Sequence, residues 1–325
     1  MSADAARAFW VVAPGRGEIR TEPLTVPADA DAVVVRALYS GISRGTEALV
    51  FHGRVPPSEY ERMRAPFQVG DFPAPVKYGY ASVGVVECGP ARLLNRTVFV
   101  LHPHQTRYNV PAEWIHVVPD DVPPERAVLT ANLETAINGV WDARPHLGDR
   151  VVVIGAGTVG CLTAWLAGRI PGCDVELVDV NLGRAAIARA LGVRFTPPEM
   201  VSAGADVVIH ASGSPEGLDL ALRVAGFEAT VVELSWYGEQ LVPLRLGGGF
   251  HALRLTLKSS QVGTVAGSQR SRWNADRRIG LALRMLADPA LDVLITGESA
   301  FDDLPETMER LASGPGPALC HRIRY

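Results

Sequence analysis

The sequence predicts an α/β protein, a doubly wound parallel sheet preceded by a β-rich domain. Three observations carry that expectation. The first 120 or so residues hold short β-branched and aromatic runs punctuated by Gly, Pro or Asn. Strand-like and helix-like stretches then alternate from near Val122. The alternating part opens on a fully apolar run closed by glycines, "VVVIGAGTVG".

In order, "RAFWVVAPG", "DAVVVRALYSG", "SVGVVECG" and "RTVFVLHPHQTRYNV" read as strands, with helical periodicity nearly absent among them. "RVPPSEYERMRAPFQVGDFPAP" is proline-rich and aromatic, a surface excursion or lid. "PPERAVLTANLETAINGVWDA" has helical spacing. "DRVVVIGAG", "DVELVDV", "ADVVIHASG", "ATVVELSWYG" and "LRLTLKSSQVG" then read as strands. "VGCLTAWLAGRI", "GRAAIARALG" and "PEGLDLALRVA" are the helices between them. "RIGLALRMLAD" and "PETMERLAS" are further helices, and "ALCHRIRY" a last strand.

At 325 residues the chain has room for two domains. The net charge of −4, with both signs interspersed, argues against nucleic acid and anionic membranes as partners. Cys88, Cys161, Cys173 and Cys320 form no C-x-x-C pair, so they read as small buried apolar residues of a reducing compartment. The opening "MSADAARAFWVVAPGRGEIR" lacks a secretory pattern, and no run is long enough to span a bilayer. The expected location is the cytoplasm.

Gly155, Gly157 and Gly160 have G-x-G-x-x-G spacing between a strand and a helix. The first suits a tight turn, the second lets a pyrophosphate approach the backbone, and the third lets helix and sheet pack closely. The helix start, at Thr158 and Val159, offers unpaired N–H groups to phosphate. Asp179 ends the next strand nineteen residues past Gly160, where an acid would bind ribose hydroxyls. Its charge would repel a 2′-phosphate by roughly 1–4 kcal/mol at about 4 Å, so NAD is expected and NADP disfavoured. Arg184 could soften that preference by pairing with a phosphate; otherwise it packs over the adenine or is a surface charge.

These pieces, with "PHLGDRVVVIGAGTVG" and "FDDLPETMERLAS", make the chain resemble the medium-chain dehydrogenase/reductase superfamily, home of the zinc alcohol dehydrogenases. The resemblance implies a GroES-like catalytic domain over residues 1–122, a Rossmann domain over 123–265, and a return to the catalytic domain over 266–325. It implies an active site in the cleft between domains, a small-molecule substrate and a homodimer. It also places Thr135, in "NLETAIN", and Ser212 with Gly213 beside the cofactor.

Zinc-bearing members have a cysteine in a G-I-C-G-T-D-like segment, a histidine in G-H-E and a third ligand before the cofactor strand. This chain reads Gly41-Ile42-Ser43-Arg44-Gly45-Thr46-Glu47, so either Ser43 or Arg44 stands at the cysteine. Tyr80 and Ala81 replace the histidine and glutamate, and Ala131 the third ligand. Such residues cannot form the soft, anionic site zinc requires, so no zinc is expected. His52, His102, His104 and Glu47 are a weaker metal alternative, because "HPH" has no second ligand pair.

A metal-free site must polarise the substrate oxygen with hydrogen-bond donors. Tyr80 is the leading donor, with Lys77 three residues away to lower its pKa; the alternative is a ring plugging the empty metal position. Thr46 matches the family's proton-passing hydroxyl, or stabilises a turn. Glu47 would pair with Arg44 or a nearby base. His104 would accept the proton, or is surface structure at a strand end. "YSGIS-x-GTE" with a tyrosine in place of the G-H-E histidine resembles bacteriochlorophyllide hydroxyethyl dehydrogenase, which oxidises a ring-borne hydroxyethyl group. Trp236, Tyr237, Phe67 and Phe72 are then candidate stacking walls. The expected activity is zinc-independent, NAD(H)-dependent interconversion of a secondary alcohol and a ketone. The alternatives are a metal-free enoyl or quinone reductase using NADPH, and a non-catalytic NAD-binding sensor.

Overall fold

A computed structural model describes residues 5–24, 31–314 and 316–325. The expected start without a leader falls partly on residues 1–4, outside those described. Contacts divide the chain into two units, Met1–Ala131 with Leu283–Tyr325, and Asn132–Ala282. The divisions fall inside two helices rather than at residues 123 and 266.

The first unit begins with β1 (Ala5–Ala13), β2 (Arg16–Pro23), β3 (Ala32–Ile42) and α1 (Arg44–Phe51). It continues through β4 (Val69–Gly70), β5 (Val76–Lys77), β6 (Ser82–Cys88), β7 (Thr97–Val100), β8 (Arg107–Pro111), β9 (His116–Val117) and α2 (Pro124–Ala127). α1 is a short helix in a region where the sequence has almost no helical periodicity. "PPERAVLTANLETAINGVWDA" is two helices rather than one, α2 and then α3 (Thr130–Ala143). The Thr130 hydroxyl donates to the Ala127 carbonyl at 2.6 Å where the first ends.

The second unit runs β10 (Arg150–Ile154), α4 (Thr158–Ala167), β11 (Asp174–Val178), α5 (Arg184–Ala190), β12 (Arg194–Thr196), β13 (Ala205–His210), α6 (Pro215–Val224), β14 (Ala225–Glu233) and β15 (Thr256–Ser259). The helix α7 (Ala275–Met285) leads back to the first unit, which closes with β16 (Ile295–Ala300), α8 (Leu304–Ala312) and β17 (Cys320–Arg324).

The second unit's sheet has the order β12-β11-β10-β13-β14-β15, with every pairing parallel. Order therefore reverses between β10 and β13, the switch point at which open α/β sheets bind ligands. Val151, Val152 and Val153 are fully buried, as a central strand covered on both faces requires.

In the first unit, β3 is the central strand. It pairs antiparallel with β6, β8 and β17, while β2, β1, β5 and β4 form a second, smaller sheet. Val33, Val35, Val86, Val98, Val100 and Val110 fill the core with Tyr108. The proline-rich segment after α1 is anchored rather than a free excursion: Val55 and Phe72 are buried. All four cysteines are free; Cys161 and Cys320 are buried, but Cys88 is exposed and Cys173 half-buried, against the expectation for all four. No helix among the described residues is long and apolar enough to cross a membrane.

Candidate active site and cofactor crevice

The glycine-rich turn of the second unit packs as its spacing requires. Gly155 has φ +104°, and a Cβ there would lie 2.6 Å from the Ser212 backbone. A Cβ on Gly160 would lie 1.8 Å from the Gly155 carbonyl oxygen. Gly157 differs, because a Cβ there would meet nothing within 4 Å. It faces open space at the start of α4, where Thr158 and Val159 are half-buried. That cradle suits a pyrophosphate, so the residues present fit a dinucleotide.

Asp179 follows β11 and is tied to this turn. One carboxylate oxygen accepts the Ala156 N–H at 2.6 Å and the other the Asn181 N–H at 2.8 Å. Each oxygen keeps acceptor capacity for a ribose hydroxyl. Arg184 is buried, close enough to Cys161 for its charge to act on the thiol, so it is not a surface charge. Thr135 is half-buried on α3, while Ser212 and Gly213 are exposed just beyond β13.

In the first unit the opening motif folds back on itself. Ser43 precedes α1, and Thr46 and Glu47 lie in its first turns. The Ser43 N–H donates to one Glu47 carboxylate oxygen at 2.7 Å, and His104 Nε2 meets the other at 2.8 Å. His104 Nδ1 meets Ser40 Oγ at 2.7 Å, and the same hydroxyl meets the Tyr325 hydroxyl at 2.9 Å. Ser40, Glu47 and His104 are all buried. Gly79 permits this packing: at φ +128° it sits where a Cβ would lie 2.9 Å from the His104 ring.

Tyr80 follows directly and is half-buried. Burial pushes its hydroxyl up to about 12, helped by the Glu47 charge and opposed by hydrogen bonds with the Ser43 and Thr46 side chains. The residues at the family's first two metal positions are thus brought together as a hydroxyl cluster. Ser43, rather than Arg44, faces it, since the Arg44 guanidinium reaches the Gly316 and Ala318 carbonyls.

Of the two partners expected for it, Glu47 takes a nearby base, His104, and not Arg44. Three expectations are corrected here. Lys77 does not lower the Tyr80 pKa; its ammonium is held by Glu22 at 2.7 Å and Gln105 at 2.9 Å. His104 is neither surface structure nor open to substrate, because both ring nitrogens are already partnered in the interior. Phe67 and Phe72 do not form one wall. Phe67 contacts His102 and Trp114, whereas buried Phe72 packs between Tyr60 and Tyr78. Tyr237 stacks with His210 in the second unit.

Sequence reading passed over Ser40, inside the "YSGIS" motif, and the His210–Glu233 pair of the second unit. In each case a polar residue interrupting or ending an apolar strand was the available signal.

A zinc ion of the kind the resembled family carries does not fit these residues. Serine, tyrosine and buried Ala131 give no thiolate or imidazole set, and the nearby Glu47 and His104 satisfy each other. His52 instead meets the Ala312 carbonyl, and His102 stacks on Tyr108 at 3.8 Å. Among the described residues, no three His, Cys, Asp or Glu side chains group as metal ligands.

No family model matches the chain. An L-threonine 3-dehydrogenase of Chelativorans sp. (strain BNC1) is 32% identical over 118 residues, 36% of this chain and 34% of that protein. The chain therefore aligns with about a third of that relative's length. A D-guloside 3-dehydrogenase of Escherichia coli (strain K12) is 23% identical over 88% of this chain and 87% of its own. Among solved structures, a zinc-binding dehydrogenase of Sinorhizobium meliloti 1021 bound to NADP superposes with a TM-score of 0.78 at 17% identity, covering 99% of both chains. At that identity the solved structure shows the fold alone: the chain has the fold of this dehydrogenase.

Proposed function

We propose that the chain is an NAD-linked oxidoreductase that interconverts a secondary alcohol and a ketone without a bound metal ion. The observation that carries this reading is the hydroxyl cluster in which Ser43 and Tyr80, at positions where the resembled family keeps metal ligands, meet Thr46. The open turn at Gly157 and the acid at Asp179 supply the cofactor half of the argument.

A bound nicotinamide would donate or accept the hydride. Tyr80 performs the task of the missing cation. Its phenol, held up to about 12, stays protonated at ordinary pH and donates to the ketone oxygen. The Ser43 and Thr46 hydroxyls then support the phenol oxygen as charge grows on it. Half-buried Thr46 is the route for proton exchange with water. Glu47 holds the Ser43 backbone in place, and His104 positions Glu47 rather than meeting substrate. A single donor of this kind is worth about 100- to 1000-fold in rate.

Asp179 favours NAD over NADP by repulsion of a 2′-phosphate; the NADP of the S. meliloti protein belongs to that protein's own site. The "YSGIS-x-GTE" motif with Tyr80 supports a substrate whose carbinol is borne on a ring, as in bacteriochlorophyllide hydroxyethyl dehydrogenase. Titrating the purified chain with NADH and NADPH, and scanning ring-borne ketones against enones, tests the reading. Ketone reduction with NADH is expected. Enone reduction with NADPH, or binding with no turnover of any compound, would contradict it.

A further inference from the structure

The second unit carries a buried chain of polar groups that the reading above does not use. His210 ends β13, is wholly buried, and pairs in register with Glu233 at the end of β14. Its Nδ1 meets a Glu233 oxygen at 2.7 Å, and its Nε2 meets Ser212 Oγ at 2.5 Å. Glu233 also accepts the Tyr237 hydroxyl at 2.9 Å and the Ser235 N–H at 2.6 Å. No other charged side chain has a hydrogen bond or ion pair to His210 among the described residues.

A carboxylate only accepts, so Nδ1 carries a proton toward Glu233; in the tautomer protonated at Nδ1 alone, Nε2 accepts the Ser212 hydroxyl hydrogen. Ser212 Oγ then has two lone pairs facing away from the ring. One takes the Ser214 N–H at 3.2 Å, and one remains. Ser212 is exposed and abuts Gly155, so that lone pair lies at the switch point between β10 and β13.

We propose that Glu233 and His210 are positioning residues that hold Ser212 as a hydrogen-bond acceptor for a hydroxyl or amide donor of the bound dinucleotide. Without them only the Ser214 N–H would hold the hydroxyl, leaving its hydrogen free to point away from the site of His210. Gly217 completes the device: a Cβ there would lie 2.3 Å from Ser212 Oγ and 2.7 Å from His210 Nε2, so only glycine lets α6 close over the pair.

The proposal rests on the dinucleotide reading, and the test separates the two. NADH affinity is measured by fluorescence titration for the wild-type chain, Ser212→Ala, Ser212→Thr, Glu233→Gln and the double variant Ser212→Ala/Glu233→Gln. Thermal unfolding of each reports folding. Ser212→Ala and Glu233→Gln should each weaken NADH about tenfold, the scale of one hydrogen bond. The double variant should be no weaker than either, because both remove the same contact. Ser212→Thr, which keeps the hydroxyl, should retain affinity. Glu233→Gln that folds and binds NADH as wild type, or losses that multiply in the double variant, would overturn the positioning role while leaving the dinucleotide reading intact. A wild-type chain that binds neither NADH nor NADPH would overturn both.

Discussion

Tyr80 shows how far one residue's environment alters its chemistry. Sequence spacing puts Lys77 three positions away and suggests an activated, acidic phenol. In the fold Lys77 belongs to Glu22 and Gln105, and the charge near Tyr80 is the negative one of Glu47. On the proposed mechanism the tyrosine is therefore a neutral donor and not a base. Tyr80→Phe should lower ketone turnover about 100-fold while NADH affinity, measured separately, stays as in wild type; full activity would make the ring mere filler. Asp179→Ala should shift the NADH-to-NADPH ratio of kcat/KM toward NADPH by about tenfold or more. Thr46, Glu47 and Asp179 could be singled out because a motif surrounds each, whereas the interior place of His104 could not be read from its sequence neighbours. Ser40 and His210 were not singled out, because their partners lie 64 and 23 positions away. Only the folded strands bring those partners within reach.

Among elements, the strands of the second unit were the most legible, since continuous apolar runs such as Val151–Ile154 leave little choice. α1 was missed because it has only eight residues, includes Gly45, and forms in a segment flanked by strands. The α2–α3 break was hidden because helical spacing continues across Val128 and Leu129, both buried. The loop joining β7 to β8 carries a consequence for pH. Burial holds His102 down at about 3 against an ordinary 6.5. Between those values the unfolded chain takes up a proton that the native state refuses, so stability falls as pH drops, by up to about 1.4 kcal/mol per pH unit. His102→Phe keeps the stack on Tyr108 but cannot titrate. Its melting temperature should therefore decline less steeply than that of wild type from pH 6.5 to 4, by calorimetry. At α6, replacing a helical glycine with alanine ordinarily stabilises by about 1 kcal/mol. Gly217→Ala should instead lower the melting temperature, because its methyl group would collide with Ser212 and His210.

For the molecule as a whole, the order of segments was legible while their limits were not. Returning helix α7 reads as amphipathic in sequence, but nothing local marks Leu283 as the point where contacts pass back to the first unit. The strand β15 pairs only with β14 and leaves one edge of the parallel sheet unmatched among the described residues. We infer, with the family resemblance, that a second copy pairs there; light scattering should give twice the 34.8 kDa chain mass. A monomer at micromolar concentration would contradict that.

In the proposed reaction, protein hydroxyls hold the reacting oxygen in place of a metal ion. Its most direct test is the rate of NADH oxidation by a ring-borne ketone before and after exhaustive dialysis against a strong chelator. We predict an unchanged rate. A rate abolished by the chelator and restored by added zinc would contradict the account.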